Sequence, residues 1–250
     1  MIRIKLDLAP GRKELYTAAL ARLRAVRPAE DGADALVTGD VSAAKDSPVP
    51  CLLDGPEECD PGQLERLSGV SVMPGHEWRF LPEILPVAEC HAADQLGAPG
   101  LLRIHHWLAA DLPPRRAAFA QVDLAHWFFG SPPARAHFLT RPHYLQLHLG
   151  FPGDGMALID LATNRPGTAS YYSMHLIGSE GAAYADDHRN AHLLIGGEGS
   201  RAIVHEQNLL LAIQAMVKEF VAGISGKRAW NVALQDTVHA QQTLKEVPDA

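Results

Sequence analysis

HYLQLHLGFPGDGMALIDLAT, residues 143–163, decides the fold of this 250-residue chain. Apolar and polar residues alternate on both sides of the turn-forming run FPGDG, which is typical of two antiparallel strands joined by a hairpin. Similar segments surround it: LLRIHHWLA (101–109), ARAHFLT (134–140), SYYSMHLIG (170–178), GAAYADD (181–187), AHLLIGG (191–197) and SRAIVHEQ (200–207). They predict an open, mostly antiparallel sheet in the C-terminal part of the chain.

Helical segments accompany these strands at 78–96, 115–129, 208–224 and 231–246. Helices packed on one face of an open sheet leave its second face bare. In HYLQLHLG and YYSMHLIG both alternating sets of residues include bulky groups, so the second face is expected to be buried against another subunit.

The N-terminal part has a different pattern. IRIKLDL (2–8) alternates like a strand, and a helix is predicted over 13–26. Short apolar runs at 35–41, 49–55 and 70–75 are typical of buried parallel strands. The predicted fold class is therefore α/β plus α+β: a truncated Rossmann-like domain over 1–75, then an open-sheet domain with helices on one face over 76–250.

Composition limits the possible functions. The net charge is −7 and no Lys/Arg-rich run occurs, which argues against nucleic acid and against an anionic membrane surface. No apolar run approaches the roughly 18 residues of a membrane span. Cys51, Cys59 and Cys90 are odd in number and form no CxxC. They are interpreted as reduced thiols of a cytoplasmic protein, with a Cys51–Cys59 disulfide as the alternative.

Three segments carry a family resemblance: WRFLPEILPVAECHAADQLGAPG (78–100), VDLAHWFFG (122–130) and MHLIGSEGAAYADDHRN (174–190). They are similar to motifs of the Gfo/Idh/MocA family, and the last helix with Asp236 resembles the family's C-terminal helix. These proteins are NAD(P)-dependent sugar and inositol dehydrogenases with a Rossmann domain and an open-sheet substrate domain. The resemblance implies the same two-domain fold and a sugar or cyclitol ligand.

The family's dinucleotide motif is missing. Its glycine-rich turn corresponds to 7–12, where Gly11 is the only glycine, Pro10 lacks an N–H donor and Asp7 is negative. The chain then passes from 28–34 almost directly to the strand at 35–41, so the strand–helix–strand segment that would read the adenosine ribose is predicted to be deleted. No cofactor is therefore expected, NAD or NADP being required only if the chain is an active enzyme.

The catalytic positions are also changed. The resemblance aligns the family's Lys, Asp and His with Gly55, Arg116 and Ala120. Oxidation of a carbinol needs a base for the hydroxyl proton, and these three degenerate positions supply none. No residue is assigned as catalytic.

Four polar residues remain candidates for a substrate pocket. Asp123 matches a position that points at the substrate in the resembled enzymes. His126 lies three residues later on the same helix face, which is equally typical of an ordinary polar face. His106 belongs to an adjacent pair of which only one member can reach a pocket. Arg79 is interpreted either as a ligand for an anionic substrate or as a tie at the hinge between the domains.

No metal site is predicted. His143 and His148 lie five residues apart, which places them on opposite faces of a strand. DDHRNAH (186–192) gathers two aspartates and two histidines, but it lacks a known ligand spacing and is better interpreted as a charged turn at a subunit interface.

The sequence thus favours a non-catalytic subunit that pairs through its open sheet with an active sugar or cyclitol dehydrogenase homologue or with itself. One alternative is an active NAD(P)-dependent oxidoreductase acting on a sugar or cyclitol hydroxyl, with Asp123, His126 and His106 as relocated catalytic residues. Another is a free-standing sugar-binding or cyclitol-binding protein.

Overall fold

The computed structural model describes residues 1–165, 170–186 and 206–248, and the chain forms two compact units. The first unit comprises Met1–Pro82 with Glu206–Val238, and the second comprises Glu83–His205 with His239–Ala250. This division differs from the predicted domains 1–75 and 76–250. The difference arises because the helix that begins at residue 206 packs into the core of the first unit.

The first unit is built on a five-stranded parallel sheet with the order β2-β1-β3-β4-β5. Its strands are β1 (Ile2–Asp7), β2 (Val26–Pro28), β3 (Ala35–Thr38), β4 (Cys51–Leu53) and β5 (Val72–Pro74), and its helices are α1 (Pro10–Ala21), α2 (Val41–Lys45), α3 (Pro61–Glu65) and α7 (Glu206–Ile224). The chain leaves β1 towards β2 and then returns to the other side of β1 as β3. This reversal is the topological switch point of a Rossmann-like sheet.

Strand β2 corrects one expectation from the sequence. The strand–helix–strand segment after the first helix is not wholly deleted, because β2 pairs in parallel with β1. The chain then returns to β3 through a short loop in which Asp34 accepts from the Arg3 guanidinium at 2.9 Å. Three residues that end in a proline are too short and irregular for alternation to reveal a strand.

Both faces of the parallel sheet are covered. One face packs with α1 and α7 around Ile4, Leu52 and Phe220, and the other packs with α2 and α3 around Leu53 and Leu64. Burial on both faces explains why these strands read as continuous apolar runs instead of alternating ones.

The second unit contains a six-stranded mixed sheet with the order β11-β10-β6-β9-β8-β7. Its strands are β6 (Pro99–Trp107), β7 (Arg135–Arg141), β8 (Tyr144–Gly150), β9 (Met156–Ala162), β10 (Tyr171–Gly178) and β11 (Ala182–Asp186). Among the described strands of this second sheet, only β6 and β9 pair in parallel, and the other pairs are antiparallel. The predicted fold class is confirmed, while the strands predicted at 191–197 and 200–207 lie outside the described residues.

Helices cover one face of this sheet. They are α4 (Ile84–Ala92), α5 (Pro114–Ala117) and α6 (Phe119–Phe129). The last helix of the chain is α8 (Leu234–Lys245). The helix predicted over 115–129 is divided at Ala118. The segment predicted as helical from Trp78 contains a 3₁₀ turn before α4, because Pro82 disfavours a continuous helix there. Helix α6 is buried on nearly every side.

No helix in the described ranges is long and apolar enough to cross a membrane. Cys51, Cys59 and Cys90 are all free thiols, and Cys51 and Cys59 are buried.

Gly223 of α7 is expected to be intolerant of a side chain. A Cβ placed there would overlap Nε1 of Trp230, which donates to the Phe220 carbonyl at 3.1 Å. Although alanine is the better helix former by about 1 kcal/mol, Gly223→Ala is expected to lower the free energy of unfolding by about 2 kcal/mol in urea titrations. Gly11→Ala in α1 is the control, since nothing lies within 4 Å of that position. Equal stability of Gly223→Ala and the parent would contradict this reading of the contact.

Candidate functional site

The carboxyl ends of parallel strands are where Rossmann-like sheets bind ligands, at the switch point of the topology. In the first unit this edge lies beyond the ends of β1, β3, β4 and β5. Three polar side chains from it meet: Arg12 from the first turn of α1, Asp54 directly after β4, and Glu77 shortly after β5.

Arg12 is the centre of this cluster. Its Nε donates to Asp54 Oδ2 at 2.9 Å, and its Nη2 donates to both Asp54 and Glu77. The hydroxyl of buried Tyr16, one turn further along α1, donates to Asp54 Oδ1 at 2.9 Å. Two carboxylates, one guanidinium and one phenol therefore hold the start of α1 against the ends of the strands.

Electrostatics fixes the protonation states of this cluster. Burial alone would lower the pKa of Arg12, but the hydrogen bonds and charges of Asp54 and Glu77 outweigh it and raise that pKa. Burial, reinforced by the Asp54 charge, raises the pKa of Tyr16 well above its usual range. Burial also raises the pKa of Glu77, against the opposing charge of Arg12. At neutral pH the guanidinium stays charged and the phenol stays protonated, so neither acts as a base.

The residues around the start of α1 fit a dinucleotide. The first turn carries no acidic side chain, and the space beside Gly11 is open to 4 Å. Pro10 is the first helical residue, where the missing N–H would have had no partner within the helix. The remaining amides could hold a pyrophosphate. Glu30 follows β2, and its Oε1 lies 3.6 Å from the Lys13 ammonium. In Rossmann-like folds a carboxylate after this strand can accept hydrogen bonds from the ribose hydroxyls.

The three degenerate positions supply no acid or base in the structure. Gly55 has a left-handed backbone with φ of +63° and caps a 3₁₀ turn, a conformation that costs a lysine about 1 kcal/mol. Arg116 lies in α5 and Ala120 in α6. Arginine does not give up its proton in proteins, so proton transfer has no group at these positions.

The candidates His106, Asp123 and His126 are all buried in the second unit. His106 points at α6, where Gln121 Nε2 lies 2.8 Å from its Nδ1, and His126 Nε2 lies 3.1 Å from Thr243 Oγ1. Sequence spacing missed Gln121 as the partner of His106. Both imidazoles take part in hydrogen bonds that join elements of this unit.

Arg79 lies in the 3₁₀ turn Glu77–Phe80 and is only 3% exposed. It donates to Asp236 Oδ2 at 3.1 Å, close to the hydrogen bond of 2.7 Å between His76 Nε2 and Thr237 Oγ1. These contacts fasten the turn to the start of α8 within the first unit. Both partners belong to the first unit, so this is a tie within one unit, and the two interpretations of Arg79, as an anion ligand or as a tie at the hinge between the domains, stay predictions.

Within 1–165, 170–186 and 206–248, no three His, Cys, Asp or Glu side chains lie close enough together to hold a metal ion. Asp187, His188 and His192 of the DDHRNAH segment lie outside these ranges.

The sheet face opposite the helices of the second unit is named the outer face. It is formed by the alternate residues Leu101, Arg103, His105 and Trp107 of β6; Arg135, His137, Leu139 and Arg141 of β7; Tyr144, Gln146 and His148 of β8; Met156, Leu158, Asp160 and Ala162 of β9; Tyr171, Ser173, His175 and Ile177 of β10; and Ala182, Tyr184 and Asp186 of β11.

This face collects exposed apolar groups. The described residues expose seven large hydrophobic side chains, and five of them lie here: Trp107, Leu139, Met156, Ile177 and Tyr184, each 39% to 67% exposed. Among the described residues of this face there is no Lys and no Glu. Aromatic residues, Met and Arg in place of Lys and Glu are the composition of the core of protein–protein interfaces.

Asp160 forms a polar centre on this face. It accepts hydrogen bonds from Gln146 Nε2 at 2.6 Å and from the Tyr144 hydroxyl at 3.2 Å, and His105 Nδ1 lies 3.3 Å away. Strands β6 and β9, which carry His105 and Asp160, are the two middle strands of the six. The polar centre therefore sits in the middle of the face, with exposed apolar groups and basic side chains around it.

The fold is that of known dehydrogenases. The chain is similar to a probable dehydrogenase from Thermotoga maritima, with a TM-score of 0.79 and 14% identity over 98% of this chain and 95% of that one. A myo-inositol dehydrogenase from Corynebacterium glutamicum is similar with a TM-score of 0.76 and 17% identity over 98% of this chain and 95% of that one. GenD2 from gentamicin A biosynthesis, solved in complex with NAD, is similar with a TM-score of 0.75 and 14% identity over 98% of this chain and 93% of that one.

No protein-family model matches the sequence, and no curated protein is significantly similar to it. The structures nevertheless share the two-sheet Gfo/Idh/MocA fold over nearly the whole chain, as the sequence motifs predicted.

The expectation that the chain takes no cofactor is wrong. It rested on the missing glycine-rich turn and on the predicted deletion of the segment that would read the adenosine ribose. A protein solved with NAD has the same fold over 98% of this chain, and β1, α1 and β2 are all present. Backbone amides at a helix N-terminus bind phosphate, so a phosphate-binding helix start does not require the full glycine-rich motif.

Removing the Arg12 charge is expected to destabilise the first unit. Arg12→Gln leaves buried Asp54 and partly buried Glu77 without their cation, so the free energy of unfolding should fall by about 2 kcal/mol at pH 7.5. Arg3→Gln, which breaks an exposed ion pair with Asp34, is the control and should change little. Urea titrations of both variants make the comparison, and equal effects would contradict a special role for Arg12.

His106 is expected to make folding sensitive to acid. Burial lowers its pKa to about 4, whereas a free imidazole titrates near 6.5. The folded state therefore binds fewer protons, and stability present above about pH 6.5 is lost as pH falls towards 4. Compared with the parent, His106→Gln should lose about 2 kcal/mol less between pH 7.5 and 4.5 in urea titrations. Exposed His143→Gln is the control, and parallel pH curves for parent and His106→Gln would refute the assignment.

Proposed function

We propose that this chain is a Gfo/Idh/MocA-type subunit that pairs with a second copy of itself through the outer face and contributes no dehydrogenase turnover of its own. The observation that carries the proposal is the outer face, on which five of the seven exposed large hydrophobic side chains surround a hydrogen-bonded polar centre.

The size of the face suits a stable pair. Six strands spaced about 4.8 Å apart, with about seven residues each at roughly 3.3 Å, cover roughly 650 Å². A standard interface buries about 800 Å² on each partner. Full overlap of two outer faces therefore approaches the area that a specific dimer needs, while partial overlap falls well short.

The position of the polar centre favours a second copy as the partner. A twofold axis that runs along the strands between β6 and β9 would lay the whole face of one copy on the whole face of the other. It would also bring His105 of each copy towards Asp160 of its mate. Such a self-complementary arrangement is what an isologous interface requires.

The lack of turnover follows from the proton-handling groups. Gly55, Arg116 and Ala120 offer no base, and Tyr16 stays protonated beside Asp54. The missing base prevents proton transfer but not cofactor binding, since the start of α1 fits a dinucleotide. A sugar or cyclitol ligand is supported by the structural neighbours, and a cytoplasmic location by the three free cysteines.

A second candidate is an active NAD(P)-dependent oxidoreductase for a sugar or cyclitol hydroxyl. It is favoured by the open α1 N-terminus, by Glu30 after β2 and by the likeness to an NAD-bound protein. In this case His106, Asp123 or His126 would have to take the hydroxyl proton.

Light scattering and enzyme assays separate these functions. The parent is expected to have twice the mass of the 27.0 kDa chain, and the double variant Met156→Glu/Ile177→Glu is expected to be monomeric. Leu211→Glu is the matched control, because Leu211 is 42% exposed but lies on α7, away from the outer face. Turnover is assayed with NAD and NADP on a panel of cyclitols and sugars, and cofactor binding is measured separately by calorimetry.

Each result decides a part of the proposal. A monomeric parent contradicts pairing with itself, and a doubled mass only in the presence of an active homologue assigns the partner to that homologue. Cofactor binding without turnover supports a non-catalytic subunit. Turnover above background supports the second candidate and ends the first.

A further inference from the structure

One line of residues crosses the outer face from edge to edge and is named the basic row. In the order of the strands it consists of His137, His148, Leu158, Arg103, His175 and Tyr184. Each residue lies directly opposite its neighbour on the next strand. The row carries three imidazoles and one guanidinium and contains no carboxylate.

The groups in the row are close neighbours. His137 and His148 form a cross-strand pair on β7 and β8, and Arg103 and His175 form another on β6 and β10. The ring of His175 meets Tyr184 edge to face at 4.9 Å between centroids. Directly opposed side chains on a sheet are about 4.5–5.5 Å apart at Cβ, and like charges there repel.

The carboxylates of the surrounding face are few. Asp160 is occupied by hydrogen bonds from Gln146 and Tyr144 and by the nearby His105, and Asp186 lies at the end of β11. Asp154, in the exposed turn after β8, lines the same hollow as Arg135, His137 and His148. Arg135 and Arg141 add further positive charge on β7. While the imidazoles are neutral, the described part of the face carries three guanidiniums and two carboxylates, so its charges are close to balance.

We propose that pairing through the outer face requires neutral histidines in the basic row, so that mild acid separates the two copies. This rests on the proposed function, since it concerns the same surface. Imidazoles gain their charge between about pH 8 and 5. When these imidazoles are protonated, each copy adds three positive charges to the interface. The basic row of the second copy contains no carboxylate that could neutralise them.

His105 is a separate case. It also lies on the outer face, but it faces Asp160, which would receive its charge, and Ser173 on the other side. Burial lowers its pKa, against the charge of Asp160, and Arg103 and His175 lower it further. The acid response is therefore assigned to the basic row.

The direction follows from proton linkage. Because excluding water from the face disfavours charged imidazoles, the pair binds fewer protons than two separate copies, and its affinity falls as pH falls. The dissociation constant is expected to rise about hundredfold between pH 7.5 and 5.5. Part of this change should be screened by 0.5 M salt.

Sedimentation velocity at pH 7.5, 6.5 and 5.5 tests the proposal on the full chain. The parent should be dimeric at pH 7.5 and dissociate at pH 5.5, whereas His137→Gln/His148→Gln/His175→Gln should remain dimeric at both. His143→Gln/His239→Gln, which alters histidines outside the outer face, should dissociate like the parent. Circular dichroism at each pH confirms that the chains remain folded. Should the triple variant not fold, His148→Gln and His175→Gln are tested singly, and each should lessen the pH response several-fold.

The failures are distinguishable. A parent that is equally dimeric at pH 5.5 and 7.5, or histidine variants that still dissociate as the parent does, would overturn the acid response and leave pairing intact. A parent that is monomeric at pH 7.5 would overturn the proposed pairing itself.

Discussion

A β-strand presents its side chains alternately to two faces, and helices on one side of a sheet can bury only one of them. This constraint governs the second unit. Leu145, Leu147 and Leu149 of β8 lie under helices, which leaves Tyr144, Gln146 and His148 on the outer face. The apolar groups that this face exposes, and the hydrogen bonds that keep Asp160 satisfied among them, are the features of a surface meant to be covered. The proposed pairing is a consequence of this geometry.

Holding a phosphate group and moving a proton make different demands on a sequence. A helix N-terminus holds phosphate with backbone amides, which most sequences can supply, whereas proton transfer needs a particular side chain at a particular atom. Here α1 and β2 keep the frame of a dinucleotide seat, while Gly55, Arg116 and Ala120 cannot move a proton. Arg12 instead ties α1 to Asp54 and Glu77. Under the proposed function, the chain keeps the fold without the proton transfer.

Much of the architecture could be predicted from the sequence, because alternation and turn residues are local signals. The segment 143–163 identified β8, the hairpin and β9, and the family motifs identified the two-sheet fold. Strand β2 was missed because its three residues are too few to show a pattern. The pairing of His106 with Gln121 and the Arg12 cluster were missed because they join distant segments. The cofactor prediction failed for another reason: it treated the glycine motif as necessary for binding a dinucleotide, and it took β2 to be deleted.

Helix α7 has a consequence for how this protein is made. The first unit takes α7 into its core beside Ile4, Leu20 and Leu52, yet α7 is synthesised more than a hundred residues after Pro82. When the N-terminal segment leaves the ribosome, one side of its parallel sheet has only α1 to cover it. During translation of the second sheet that apolar surface stays uncovered until α7 has been made, and apolar surface exposed in this way is prone to aggregation.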